Sequence, residues 1–134
     1  MVGAPRRGSV VGSPESAPEP ITEFLVVPGP RDDWFGPDAL ERFCAQEWLV
    51  TPKSNRIGVK LEGDALMRDR QGELPSEGTV RGAIQIPPDG LPVLFLSDHP
   101  VTGGYPVIGV VASADLDHAA QLVPGSRVRF RWQS

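Results

Sequence analysis

Between Leu74 and Pro106 the chain sets Ser76, Glu77, Gln85, Asp98, Thr102 and Tyr105 among clusters of glycine and proline that alternate with short apolar runs. Glycine supplies positive φ and close backbone approach, while proline fixes φ and removes a donor, so this stretch implies loops of defined shape held between strands. Several of its polar residues offer a distinct chemistry. A carboxylate at Glu77 could act as a general base. Gln85, the polar residue of the run AIQIP, presents donors and an acceptor together and must satisfy them in a network or in a pocket. Asp98 ends the apolar run VLFLSD, an unfavourable place for an unpaired carboxylate, and with Thr102 forms the strongest local pair. Upstream, the planar fork of Arg56 suits a carboxylate or a carboxylated cofactor. Glu77, Asp98 and Thr102 are therefore read as catalytic, and Arg56, Gln85, Gly103, Gly104 and Tyr105 as substrate-binding, the two glycines offering backbone amides to an anion.

Each of these residues has a plainer reading. Arg56 could pair Glu62 or Glu77 to pin a loop, and Glu62 could be a strand-end carboxylate accepting backbone donors. Ser76 could bond local backbone in a turn with Gly78 at positive φ, and no His–Asp context makes it a hydrolase nucleophile. Asp98 could be satisfied by the amides of the Val101 to Gly104 turn or by Thr102. Gly103 and Gly104 could merely turn the chain into the next strand. His99 reads as an exposed loop residue and His118 as part of a surface helix. Two histidines and one cysteine, widely separated, give no metal-ligand spacing, so no zinc is expected. Cys44, within ALERFCAQ, reads as a small residue packed on a helix.

The elements that must position these groups follow from periodicity. Thr22 to Val27 alternates as a strand and ends at Pro28-Gly29-Pro30, and Arg31 to Phe35 is a polar-then-aromatic loop. Pro37 can start a helix through DALERFCAQ. Glu47 to Thr51 and Ile57 to Leu61 are strands, the second with Ile57, Val59 and Leu61 on one face. Arg81 to Ile86, Pro92 to Ser97 and Val107 to Ala112 are further strands, and VLFLS shows no alternation, as in a strand buried on both faces. Asp115 can cap a short helix through Leu122, and Pro124-Gly125 turns the chain into a last strand where Val128, Phe130 and Trp132 alternate with Arg127, Arg129 and Arg131. Seven short strands and two minor helices in roughly 110 residues predict a mostly β fold, a closed or partly closed barrel or a sandwich.

Composition sets the outer limits. Residues 1–20 are rich in Pro, Gly and Ser without an aromatic, and are expected to be a disordered tail or linker before a domain at 21–134. The net charge of −4 argues against nucleic acid as the main partner, and the three terminal arginines fit a solvated strand face. No run approaches the roughly 18 apolar residues of a membrane helix, and no apolar segment follows Arg6 and Arg7 as in a secretory signal. The lone cysteine fits a reducing cytoplasm. Neither a strand–GxGxxG–helix unit nor a GxxxxGK[ST] loop is present, so no nucleotide motif is legible.

The segments TPKSNRIGVKLEG, ELPSEGTVRGAIQIPPDGLPVLFLSDHPVTGGYPVIGVV and LVPGSRVRF, with VVPGPRDDWF ahead of them, resemble the C-terminal half of one bacterial family. It is known variously as allophanate hydrolase subunit 2, the 5-oxoprolinase C subunit or the biotin-dependent carboxylase-like domain. The resemblance runs from Phe24 to Phe130 and rests on separated motifs in the family's order. It implies a cyclophilin-like β-barrel working beside a partner protein, the family's B subunit or subunit 1. Similar domains help present urea to carboxybiotin in urea carboxylase, 5-oxoprolinase opens the pyroglutamate ring at the expense of ATP, and a sporulation regulator of the family acts on a protein inhibitor. Arg56 falls in the family's Ser-x-Arg position, and the polar residues then face a cyclic amide or urea-like substrate. Complete members carry a further lobe upstream that the Pro-rich opening does not supply, so the chain alone is expected to be inactive.

The reading preferred on these grounds is the C-terminal domain of a protein like the 5-oxoprolinase C subunit, with ATP entering through the complex. The alternatives are a carboxylase accessory domain orienting a urea-like acceptor near carboxybiotin, or a regulatory binding module acting on a partner protein. Biotin would have to come from another chain, because neither Lys53 nor Lys60 follows a methionine as a biotinylated lysine does. A prolyl isomerase is suggested by barrel type alone, and no isomerase motif supports it.

Overall fold

The computed structural model describes residues 21–29, 34–68 and 77–133. The expected tail at 1–20, Arg31 to Asp33 and Ser76 lie outside them. In chain order the elements are β1 (Thr22–Pro28), α1 (Pro37–Ala45), β2 (Trp48–Val50), β3 (Gly58–Glu62), β4 (Glu77–Gly78), β5 (Ala83–Gln85), β6 (Val93–Phe95), β7 (Thr102–Gly103) and β8 (Val107–Val111). A 3-10 turn at Ser113–Asp115 leads into α2 (Leu116–Ala119), and β9 (Arg127–Trp132) follows.

Seven strands close a barrel in the order β1-β8-β5-β6-β3-β2-β9, and β4 and β7 form a separate two-stranded ribbon. The seven barrel strands are those read from the sequence, each within a residue or a few of its expected ends. The ribbon is new, for both of its strands read as turns in the sequence. All barrel pairs are antiparallel except β1 with β9, where Phe24 lies beside Phe130 and Val26 beside Trp132. Directly paired residues share a face. Val50 with Leu61, Val59 with Leu94, Trp48 with Val128 and Phe24 with Phe130 therefore turn together into the core, and all are essentially solvent-free.

Helix α1 starts at Pro37, whose missing N–H costs nothing in the first turn, and buries Ala39 and Phe43. The Phe43 ring stacks on Phe130 with centroids 4.5 Å apart. Trp48 Nε1 donates to the Phe43 carbonyl at 3.0 Å, which ties the end of the helix to β2. Gln46 adds a second tie, accepting from the Asp64 amide and donating to its carbonyl at 2.8 and 2.9 Å. Cys44 lies half-buried here, and desolvation raises its thiol pKa while a backbone hydrogen bond at Trp132 opposes the rise. It is a neutral packed thiol near pH 7, not a nucleophile. Bare backbone at Gly109 lets β1 and β8 approach, since a Cβ there would meet Val26 Cγ1 and sit 2.9 Å from the Val27 carbonyl oxygen.

Two expectations are corrected. Ile57 precedes β3 and is 48% exposed, so only Val59 and Leu61 of the expected face are buried. The arginines of β9 do stand on a solvated strand face, with carboxylates nearby: Arg127 and Arg129 both approach Glu47 at 3.8 Å, and Arg131 approaches Glu23 at 3.7 Å. Asp115 makes no side-chain cap on α2. Its Oδ2 instead accepts from the Leu25 amide at 2.9 Å, and the Ala112 amide bonds the Leu25 carbonyl at 2.8 Å. The β8–α2 connection is thus fastened to β1 through both backbone groups of one residue. Asp115→Ala should leave the Leu25 N–H unsatisfied and cost about 1–3 kcal/mol in urea denaturation, with Asp115→Asn recovering part of the loss because its amide oxygen still accepts.

Candidate functional site

The site is built on the outer wall of the barrel, where two kinds of burial coincide. In the register of β3, β6, β5 and β8, Lys60 pairs with Val93, Val93 with Gln85, and Gln85 with Val107. These residues point away from the core side chains Val59, Leu94 and Ile84 of the neighbouring positions. Gln85 nevertheless keeps only 9% of its surface exposed and Phe95, the next outward residue of β6, only 4%. The β4–β7 ribbon and the 98–101 turn cover them, which explains why VLFLS lacks alternation.

Two contacts bind this cover to the wall, and others hold the cover together. Thr102 pairs with Gly78 and Gly103 with Glu77 in the ribbon. Gly103 lies directly over Gln85, so that a Cβ on it would stand 2.8 Å from Gln85 Nε2 and 3.3 Å from Thr79 Cγ2. The His99 ring stacks on Phe95 with centroids 5.7 Å apart. His99 Nδ1 lies 2.6 Å from the Pro100 carbonyl and 3.1 Å from Thr79 Oγ1, and Thr79 Oγ1 donates to that same carbonyl. A proton on Nδ1 satisfies this geometry and leaves Nε2 as the free ring nitrogen.

At the edge of the cover, Arg56 and Asp98 meet. The Asp98 amide donates to the Arg56 carbonyl at 3.2 Å, and Arg56 Nε lies 3.6 Å from Asp98 Oδ2. Their side chains are 92% and 55% exposed, so the pair contributes at most about 1 kcal/mol to stability. Asx bonding by Asn55 to the amides of Ile57 and Gly58, at 2.8 and 3.3 Å, holds the turn that presents Arg56.

Of the residues singled out in the sequence, the fold thus joins Arg56 to Asp98, Glu77 to Gly103 through the backbone, and Gln85 to Gly103. Of the plain partners expected for Arg56, Glu62 is replaced by Asp98, and the Glu77 side chain lies outside the described ones. Among the described residues Asp98 takes no hydrogen bond from Thr102 or from the amides of 101–104; it sits on the exposed side of the turn. Gly103 is a strand residue and not a turn, while Gly104 and Tyr105 carry the chain from β7 to β8. The Gln85 side chain makes no hydrogen bond with a described residue. Its amide is therefore an uncommitted donor and acceptor under Gly103 of the ribbon, and it is not among the fully buried unsatisfied groups.

The unit of His99, Thr79 and Phe95 does not emerge from the sequence. The available signal is weak: an aromatic in a doubly buried strand, followed four residues later by a histidine. Among the described residues no group of three or more His, Cys, Asp or Glu could hold a metal ion, and no helix is long and apolar enough to cross a membrane. Because the atom a Gly103 side chain would strike is the free end of a flexible amide, Gly103→Ala should change the unfolding free energy measured in urea by less than about 1 kcal/mol. The Gln85 side-chain NH₂ resonances in an ¹⁵N–¹H spectrum should move far more than those of the barrel.

Comparison with known proteins places this arrangement. Residues 3–132 match the family described as carboxyltransferase domain, subdomain A and B, a longer match than Phe24 to Phe130. The chain is 36% identical over 105 residues to the C subunit of 5-oxoprolinase from Escherichia coli strain K12, covering 78% of this chain and 34% of that protein. It is 31% identical over 115 residues to the C subunit of 5-oxoprolinase from Haemophilus influenzae, covering 85% and 37%. The chain therefore spans about a third of the length of these relatives. The crystal structure of Kluyveromyces lactis urea carboxylase is similar to it with a TM-score of 0.81 and 30% identity, over 90% of this chain and 12% of that one. With matching motifs, barrel order and family extent in agreement, this chain belongs to the carboxyltransferase domain family, subdomain A and B.

Proposed function

We propose that this chain forms the C-terminal domain of a protein like the 5-oxoprolinase C subunit, one part of an ATP-dependent complex acting on a cyclic amide or urea-like substrate in the cytoplasm. The observation that carries the reading is the uncommitted Gln85 amide lying under the ribbon, on the same cover whose adjoining turn carries the exposed Arg56–Asp98 pair. An amide substrate presents a carbonyl and an N–H side by side, and the Gln85 carboxamide offers the complementary donor and acceptor. Asp98 takes the proton of the substrate nitrogen, and the terminal nitrogens of Arg56 hold a substrate carboxylate. Glu77, Thr102, Gly103, Gly104 and Tyr105 belong to the same cover and shape the approach to it.

The domain does this work only with neighbours. Ile57, Val80 and Val101 are 48%, 55% and 81% exposed, and all three lie next to the cluster in sequence or through the ribbon. Apolar side chains bordering a polar cluster suit coverage by the remaining portion of the protein and by a partner of the B-subunit type. Alone, the chain leaves its substrate side open to water and does not turn over. ATP is handled elsewhere in the complex. The similarity to urea carboxylase supports a second reading, in which the same amide orients a urea-like acceptor and biotin arrives on another chain.

Pyroglutamate-dependent ATP hydrolysis separates the two. Partner subunits should be inactive alone and with this chain, and active once the chain is extended to the full length of its relatives. Silence in every mixture beside a working control complex would transfer the assignment to the acceptor-orienting reading. In the active complex Asp98→Ala should lower kcat by roughly 10²–10⁴, the usual contribution of a positioned acid or base. Its effect on the unfolding free energy should stay within about 1 kcal/mol, because the Arg56 pair is solvent-screened. Parallel losses of turnover and stability would make Asp98 a structural residue.

A further inference from the structure

A second concavity, of about 430 Å³, opens on the outer wall beyond Lys60 and contains none of Arg56, Gln85 or Asp98. Its walls come from β2, β3, the start of β6 and the turns beside them. Pro52, Pro87 and Pro92 line it together with Leu49, Leu91 and Val93, and so do Lys53, Lys60, Glu62 and Asp89. Proline walls carry no N–H and little freedom, so the apolar part of the groove is preformed.

The charged part is unusual in its pairing. Lys53 and Lys60 are the only lysines of the chain, and both border this groove. Neither makes an ion pair with a described residue, and neither do Glu62 and Asp89, although all four border one space. The backbone keeps them in place. Lys60 N donates to Ser54 Oγ at 2.9 Å, and the Thr51 amide bonds the Lys60 carbonyl at 3.0 Å. Asp89 Oδ1 accepts from the Leu91 amide at 3.0 Å, which fixes the turn that carries it. Thr51, another lining residue, has a buried Oγ1 without a hydrogen-bond partner.

Two ammonium groups and two carboxylates around apolar walls are complementary to a molecule that brings both signs of charge on an apolar body. We propose that this groove binds a small zwitterion with an apolar side chain, of the class of a free amino acid or dipeptide. The ligand carboxylate lies toward Lys53 and Lys60, its ammonium toward Glu62 and Asp89, and its side chain against the proline and leucine walls. The site is independent of the chemistry assigned to Gln85 and Asp98, and Val93 alone borders both.

The test is an ¹⁵N–¹H titration of the full chain with leucyl-leucine, N-acetyl-leucyl-leucine and leucyl-leucinamide. The zwitterion should give saturable shifts confined to residues 49–53, 60–62 and 89–93. Each blocked form should bind roughly fivefold more weakly, the equivalent of one exposed charge contact. The double variant Lys53→Gln with Lys60→Gln should erase the preference for a free carboxylate and retain that for a free amine. Glu62→Gln with Asp89→Asn should do the reverse. Absent shifts, equal affinities for all three peptides, or preferences unchanged in both double variants would overturn the proposal. The peptide series on the unaltered chain carries the test even if a double variant fails to fold.

Discussion

The parallel pairing of β1 with β9 is the constraint on which the remaining structure depends. Every other neighbour in the barrel is antiparallel and reached by a short connection or a return through the sheet. Joining the first described strand to the last closes the cylinder and leaves its seven strands without a free edge. The pairing also puts Phe24 beside Phe130 and Val26 beside Trp132, which is the surface on which α1 lays Phe43 and Leu40. Sequence-distant residues are brought together there before any functional residue is placed. The Asp115 bond to Leu25 then fastens the β8–α2 connection to the same strand.

Closure has a consequence for function. A small barrel of this kind fills its interior with side chains, as Phe24, Trp48, Leu94 and Phe130 do here. Chemistry must therefore be mounted on the outside, where sheet residues are ordinarily wet. The β4–β7 ribbon changes that by roofing part of the wall. It buries Gln85 and Phe95 on their outward faces, with Gly103 over the Gln85 amide, where an added Cβ would require that amide to shift. The stacked His99 and the Thr79 hydroxyl hold the roof at the adjoining turn. The Gln85 amide, without a partner among the described residues, is left as a donor and acceptor for a ligand.

The polar residues outside the ribbon divide into two groups by what the backbone allows. Arg56 and Asp98 stand on adjacent turns linked by a main-chain hydrogen bond, and their exposed pair adds little stability. The charges of β9 are matched by Glu47 and Glu23, which keeps that arginine row occupied with acidic neighbours. Lys53 and Lys60 have no such match among the described residues.

The seven barrel strands were legible because period-two alternation and Gly or Pro boundaries are local properties of the chain. Pro37 at the start of α1, the double burial of the run at Val93–Leu96 and the clustering of candidate residues after Leu74 were legible for the same reason. The family resemblance came from separated motifs in order, and it too is a property of the sequence. The ribbon was not legible, since two-residue strands have no period and Glu77-Gly78 and Thr102-Gly103 read as turns. Nor was the role of Asp115, whose partner lies 90 residues away and outranks the local cap. Arg56 found Asp98 instead of Glu62 because the β3–β6 register, not sequence proximity, brings the flanking turns together. Sequence by itself determined which segments are strands and which residues could do chemistry. Tertiary structure decided which of them meet, because strand register and barrel closure depend on pairings that only the complete fold selects.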